Sequence, residues 1–257
     1  KAVVEEIKKT PKKTYAPLLY DLTELQREAN QRFGYSAKET LNIMQRLYEN
    51  HKVLTYPRTD SRYLSKDIVP TIKDRLEACG TGPYRKLAMT AKKKDLSGKL
   101  AFVNDAKVSD HHAIIPTEQF VDLSHMTNEE RKIYDLVVRR FLAVLYPPFE
   151  YEQTQVTVKV GGETFLASGK IVKAQGWRAA YEEEVYSAED EEEEEAYESG
   201  KSLKGQTLPE LEKGQEIKGL VLSLTEGKTK PPAHFNEATL LSAMENPTAY
   251  MESHDKA

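Results

Sequence analysis

The sequence predicts an α+β multidomain chain in which a mainly helical subdomain is inserted into an antiparallel β unit and followed by the start of a third unit. Three observations predict it. Apolar residues recur at helical spacing from Asp21 to Tyr48 and again from Asn128 to Leu145. Apolar and polar residues alternate over Tyr151–Val160, after the second helical stretch. Ala2–Ile7, before the first, also reads as strand, so strands flank the helices in the chain. The boundaries that follow are 1–16 with 149–226 for the β unit, 17–148 for the helical unit, and 227–257 for the start of a further helical one.

Taken in order, Lys1–Pro17 is rich in Val, Ile and Lys and then passes through Pro11, Tyr15 and Pro17, an extended strand and connector. Leu22, Leu25, Ala29 and Phe33 mark a first helix, with Asp21 and Glu24 as a capping box and Gly34 at its end. Ser36 and Glu39 open a second helix buried through Leu41, Met44, Leu47 and Tyr48. Val53–Tyr56 is a β-prone run stopped by Pro57, which sets Tyr56 where a strand gives way to a turn. Val69, Ile72 and Leu76 predict a helix closed near Gly80 whose start Pro70 delays, and Thr90–Gly98 reads as a basic loop. Thr127 and Glu130 cap the clearest helix, Asn128–Leu145, which Pro147 and Pro148 stop. Gly161-Gly162 predicts a hairpin turn, and Ile217–Leu224 alternates as a further strand. Trp177 reads as a core residue. Glu237–Glu245 looks like the first helix of the last unit.

The net charge of −4 hides an asymmetry. Residues 1–148 carry 26 Lys and Arg against 19 Asp and Glu, whereas Glu182–Glu198 alone holds eleven acids and no base. The basic first part is compatible with phosphate-backbone binding without establishing it. The acidic run reads as a solvated loop rather than a metal site. One cysteine, Cys79, excludes an internal disulfide framework, and the Cys and His spacings assemble no zinc site. No run is long and apolar enough for a membrane span, and no signal-peptide pattern is present, so the expected setting is soluble and cytoplasmic. The chain opens on Lys1 and reads as an excised segment.

The segment Tyr56-Pro57-Arg58-Thr59-Asp60-Ser61-Arg62 is where the sequence becomes specific. Most of the 14 tyrosines are packing residues. This one stands in a run that closely resembles the active-site signature of type IA DNA topoisomerases. Two further segments match the same family in the same order: Ser109–Thr117, with His111 and His112 before Ala-Ile-Ile-Pro, and Pro231–Leu240, with His234 where relatives usually have arginine. Together they span nearly the whole chain, and their wording leans toward the bacterial type III branch of that family.

The resemblance implies an ATP-independent isomerase in which Tyr56 attacks one strand, forming a 5′-phosphotyrosyl link and freeing a 3′-hydroxyl. A phenol leaves phosphorus more readily than a sugar alkoxide, so the link is reversible. Arg58 would set a guanidinium fork against the scissile phosphate, and His111 would donate a hydrogen bond to it or orient the phenol. Thr59, Asp60, Arg62, His112 and His234 are the expected DNA contacts, with Asp60 and Arg62 also holding the turn. The implied partners are single-stranded or underwound DNA and the toprim domain of the full-length enzyme, which would bind Mg2+. No two aspartates here stand two apart, so this chain supplies no such site. The implied setting is cytoplasmic, with the nucleoid. The fragment alone is expected to be inactive. Two other readings stay open: a non-catalytic single-stranded-DNA-binding module, and a tyrosine recombinase, whose tyrosine follows its basic residues where Tyr56 precedes His111.

Overall fold

Strand β1, Ala2–Thr14, pairs antiparallel with β2, Phe149–Val160, from Ala2 opposite Val160 to Thr14 opposite Phe149, so everything between them is an insertion. The computed structural model describes residues 1–181, 208–224, 226–229 and 231–250. The acidic segment Glu182–Glu198 lies outside the described residues. The chain divides into two compact units, Lys1–Ala16 with Pro147–Pro231 and Pro17–Tyr146 with Pro232–Ala257.

In the first unit β3, Glu163–Ala174, returns along β2, and β4, Glu216–Ile217, adds to the other edge of β1, giving the order β3-β2-β1-β4. The turn between β2 and β3 uses Gly161 and Gly162 at φ 58° and 95°, the left-handed pair that a two-residue hairpin requires. The strand expected over Ile217–Leu224 is only two residues long, because Ile217 pairs with Ala2, the first residue of β1, and the ladder has no further partner. Leu220, Leu222 and Leu224 are exposed and, among the described residues, pair with no strand. Trp177 is buried as expected, with its indole N–H donating to the Thr14 carbonyl at 3.0 Å and the Arg178 guanidinium over the neighbouring Phe149 ring.

The second unit is helical. Helix α1, Leu22–Phe33, begins at Asp21, whose carboxylate accepts the Glu24 N–H at 2.7 Å, and ends at Gly34 with φ 70°. The expected reciprocal box is half made, because the Glu24 carboxylate turns to Arg27 at 2.8 Å instead of reaching back. Helix α2, Ala37–Glu49, and helix α5, Asn128–Ala143, carry complete boxes from Ser36 with Glu39 and from Thr127 with Glu130. Pro70 is absorbed by a 3-10 segment, Lys66–Thr71, so α3 starts only at Ile72 and runs to Cys79. Where a loop was expected from Thr90, a short helix α4, Arg85–Ala91, comes first. With fewer than two turns it shows no readable apolar period. Leu25, Met44, Leu47, Ile72, Ile133 and Phe141 form a solvent-free core.

Helix α6, Glu237–Glu245, has the expected bounds and groups with the helical unit. The Glu237 carboxylate accepts the Ala37 N–H at 2.7 Å, and Asn30 accepts the Ala238 N–H at 3.3 Å. These backbone contacts leave no apolar period in the sequence. Among the described residues no helix is long and apolar enough to cross a membrane.

Gly176 lets the chain turn tightly into Trp177, whose N–H donates to the Pro147 carbonyl at 2.8 Å. At φ 49° an added Cβ would lie 2.1 Å from the Pro148 carbonyl oxygen. Gly176→Ala should therefore destabilise the β unit by about 2 kcal/mol or more. Thermal unfolding followed by circular dichroism checks this, and an unchanged melting temperature would contradict the assigned backbone strain.

Candidate active site

The Tyr56 segment emerges directly from α2. Asn50 and His51 both donate their N–H to the Arg46 carbonyl, and Lys52 then takes the left-handed conformation at φ 57°, which reverses the chain. Val53 donates back to the Leu47 carbonyl at 3.0 Å. From there Val53–Thr55 runs beside Ile115–Thr117. Thr55 N–H donates to the Ile115 carbonyl at 3.0 Å, Thr117 N–H donates to the Val53 carbonyl at 3.0 Å, and Leu54 bridges Pro116 antiparallel. The expected strand is thus this single bridge, and Pro57 ends it because it has no N–H to donate.

Tyr56, the next residue, is half-buried. Its ring lies 4.4 Å from the His111 ring, centroid to centroid, with the planes inclined at 38°. On another side the Tyr48 ring meets it edge-on at 5.5 Å and 80°. Tyr48, expected on the buried face of α2, is 38% exposed, because Ile43, Met44 and Leu47 are the residues that pack inward. Its contact with Tyr56 had no sequence signal other than its place one residue from the helix end.

Below the two rings the segments are tied by buried hydroxyls. Thr59 Oγ1 donates to the His111 carbonyl at 2.9 Å and accepts the Ser61 N–H at 3.1 Å. Ser61 Oγ donates to the Lys107 carbonyl at 2.7 Å, and Ala113 N–H donates to the Tyr63 carbonyl at 2.9 Å. Lys107 also lies over the Tyr63 ring at 5.1 Å. Asp60 accepts from the Ser109 hydroxyl at 3.2 Å, which joins the two motifs at their rims.

Arg58 is exposed and makes no hydrogen bond or ion pair among the described residues. Its guanidinium is thereby available to an anion from outside the chain. Arg62 is instead turned inward: Nε donates to the Leu19 carbonyl at 3.2 Å, and the guanidinium lies 3.8 Å from Glu24. His112 is half-buried with Nδ1 2.7 Å from the Ala113 carbonyl, which accepts when that nitrogen carries the proton. His234 stands in the exposed segment before α6 and makes none of the contacts that join Tyr56 to His111. Among the described residues no group of three or more His, Cys, Asp or Glu side chains is placed to hold a metal ion.

The chain is similar to known proteins over most of its length. Residues 1–248 match the family model described as DNA topoisomerase. The chain is 57% identical over 255 residues to a DNA topoisomerase 3 of Bacillus subtilis (strain 168), covering 99% of this chain and 34% of that protein. Against a DNA topoisomerase 3 of Bacillus cereus (strain ATCC 10987 / NRS 248) the identity is 58% with the same coverage. The solved structure of full-length topoisomerase I from Thermotoga maritima superposes with a TM-score of 0.68 at 25% identity, covering 95% of this chain and 37% of that one. The chain thus spans about a third of the length of the curated relatives it matches.

Burial holds the His112 pKa below its ordinary value, the removal from water outweighing its bond to the Ala113 carbonyl. The unfolded chain therefore binds a proton more readily at this position than the folded one. Stability should be full above the unfolded value of about 6.5 and fall as pH drops from there toward the depressed folded value. Urea midpoints at neutral and mildly acid pH, compared between this chain and His112→Gln, check the sign. The variant should lose part of the acid decline, and an equal decline in both would contradict it.

Proposed function

This chain belongs to the type IA DNA topoisomerase family, and on that premise we propose that it carries the strand-cutting tyrosine of a longer enzyme that opens and reseals one DNA strand. The observation that carries the reading is the Tyr56 ring held against His111 within the Tyr-Pro-Arg-Thr-Asp run. The Tyr56 phenol oxygen attacks a backbone phosphorus; the new P–O bond to tyrosine forms as the P–O3′ bond breaks. The phenol proton is lost and the departing 3′ oxygen takes up a proton. One phosphodiester replaces another, so resealing by the 3′-hydroxyl needs no ATP.

Arg58, free of partners among the described residues, supplies a permanent charge for the non-bridging oxygens as they gain charge. His111 lies beside the Tyr56 ring, where it orients the phenol or donates to the phosphate. Thr59 and Asp60 tie the two segments together, Arg62 anchors its segment to Leu19, and these residues with His112 border the path of the strand, while His234 adds a contact from the segment before α6. The described residues offer no metal-ligand set. By the family resemblance, Mg2+ is assigned to a toprim domain elsewhere in the longer enzyme. The substrate is single-stranded or underwound DNA, cut to let another strand pass while the β unit flexes as a hinge, and the setting is the bacterial cytoplasm with the nucleoid. The 257-residue chain by itself should not relax DNA, and supercoil relaxation by it with magnesium would contradict that division of labour.

The test is covalent capture. In the longer enzyme, Tyr56→Phe should lower the yield of protein–DNA adduct by at least about a thousandfold, and the adduct of the parent should retain the 5′ end of the cut strand. An adduct on the 3′ end would indicate recombinase chemistry. A parent that binds single strands without forming any adduct would reduce the chain to a binding module.

A further inference from the structure

Outside the Tyr56 site, α4 and the loop behind it gather positive charge. Between Arg85 and Lys99 stand six basic residues against one acid, Asp95. Asp95 is folded into its own turn, accepting the Ser97 N–H at 2.9 Å and the Ser97 hydroxyl at 2.8 Å. Lys92 is paired with Glu77 at 2.7 Å. Arg85, Lys86 and Lys93 are exposed and make no ion pair among the described residues. With Pro83 and Met89 they line an open depression of about 430 Å³ that has no acid on its wall.

The helix is oriented so that this face must point outward. Tyr84, Ala88 and Ala91 are buried, the Tyr84 hydroxyl donates to Asp135 at 2.9 Å, and the Tyr146 hydroxyl donates to the Leu87 carbonyl at 3.0 Å. Arg85, Met89 and Lys93 then follow one another at i, i+4 and i+8, a stripe of roughly 12 Å at helical rise. Three like charges around one depression repel each other, and an anion relieves that repulsion. The stripe is longer than one phosphate. Met89, 63% exposed, and Pro83 are poor partners for a free inorganic anion, yet they suit the base or sugar of an unpaired strand.

We propose that this depression is a second nucleic-acid contact, a site for the phosphate backbone and a base of an unpaired DNA strand that shares no residue with the Tyr56 and His111 segments. It rests on reading the chain as part of a DNA-handling enzyme, and adds a place where a strand is held without being cut.

The experiment uses the whole chain and a fluorescent oligothymidylate, with binding measured by anisotropy across a salt series. Removing three phosphate-facing cations as Arg85→Gln, Lys86→Gln and Lys93→Gln should lower the slope of log affinity against log salt by about 2, with affinity about tenfold or more weaker at low salt. All three side chains are exposed and unpaired among the described residues, so the fold should not be disturbed. A control removing the exposed Lys8, Lys9 and Lys38 in the same way should keep the parent slope. An unchanged slope in the first variant, or an equal loss in the control, overturns the proposal. The Tyr56 adduct in the longer enzyme is scored separately, so failure there is distinguishable from failure here.

Discussion

The site depends on a short backbone exchange between two segments some sixty residues apart. Thr55 and Thr117 donate their N–H groups to Ile115 and Val53, while Ile115 N–H goes to the Thr55 hydroxyl at 3.0 Å, a side chain standing in for a backbone acceptor. Leu54, Ile114 and Ile115 are buried to within 1%. Slipping this register by a residue would turn apolar side chains toward solvent and leave buried N–H groups without acceptors. The register in turn fixes which residue of each segment leaves the core next, and those residues bring the Tyr56 and His111 rings together.

A second layer holds the pairing from beneath. The Leu18–Leu22 stretch contacts both motifs: Leu22 N–H donates to the Thr59 carbonyl at 3.1 Å, Leu19 accepts from Arg62, and the Tyr20 carbonyl accepts the Ile114 N–H at 2.8 Å. Arg140 of α5 secures that stretch, donating to the Leu18 carbonyl at 2.9 Å and to Glu28 at 2.6 Å with its guanidinium over the Tyr20 ring. The Tyr20 hydroxyl donates to the same carboxylate. A buried pair of this kind adds little net stability, but losing either partner leaves an uncompensated charge, so it specifies one arrangement strongly. Thr59, Ser61, Glu28 and Arg140, which help set this geometry, are buried, while Arg58 and His111 are exposed.

What could be read in advance was local. The capping boxes of α2 and α5, the glycine hairpin and the end of α1 at Gly34 depend on residues within four positions of each other, and each stands where the sequence sets it. The motif segments pointed to Tyr56 and His111, but the meeting of their rings is a contact across 55 positions that no periodicity encodes. The reversal at Lys52 uses a left-handed residue that is not glycine, so it had no signature. Short elements failed for another reason: α4 is below the length at which an apolar face repeats, and Leu220–Leu224 has strand spacing but meets no strand among the described residues. Helix α6 was placed by Ala37 and Asn30, some two hundred positions earlier in the chain. Sequence pattern records which residues prefer burial, and partners decide whether they achieve it.

Family membership and this geometry lead to one account, in which a buried scaffold presents a tyrosine beside an exposed imidazole. Its central claim is the juxtaposition of the two rings, and nuclear Overhauser contacts between Tyr56 and His111 ring protons in the folded chain test it most directly. Cross-peaks between the rings are the predicted result. Their absence in a chain whose Thr55 and Ile115 amides are nevertheless protected from exchange would contradict it, since the backbone pairing would then exist without placing the rings.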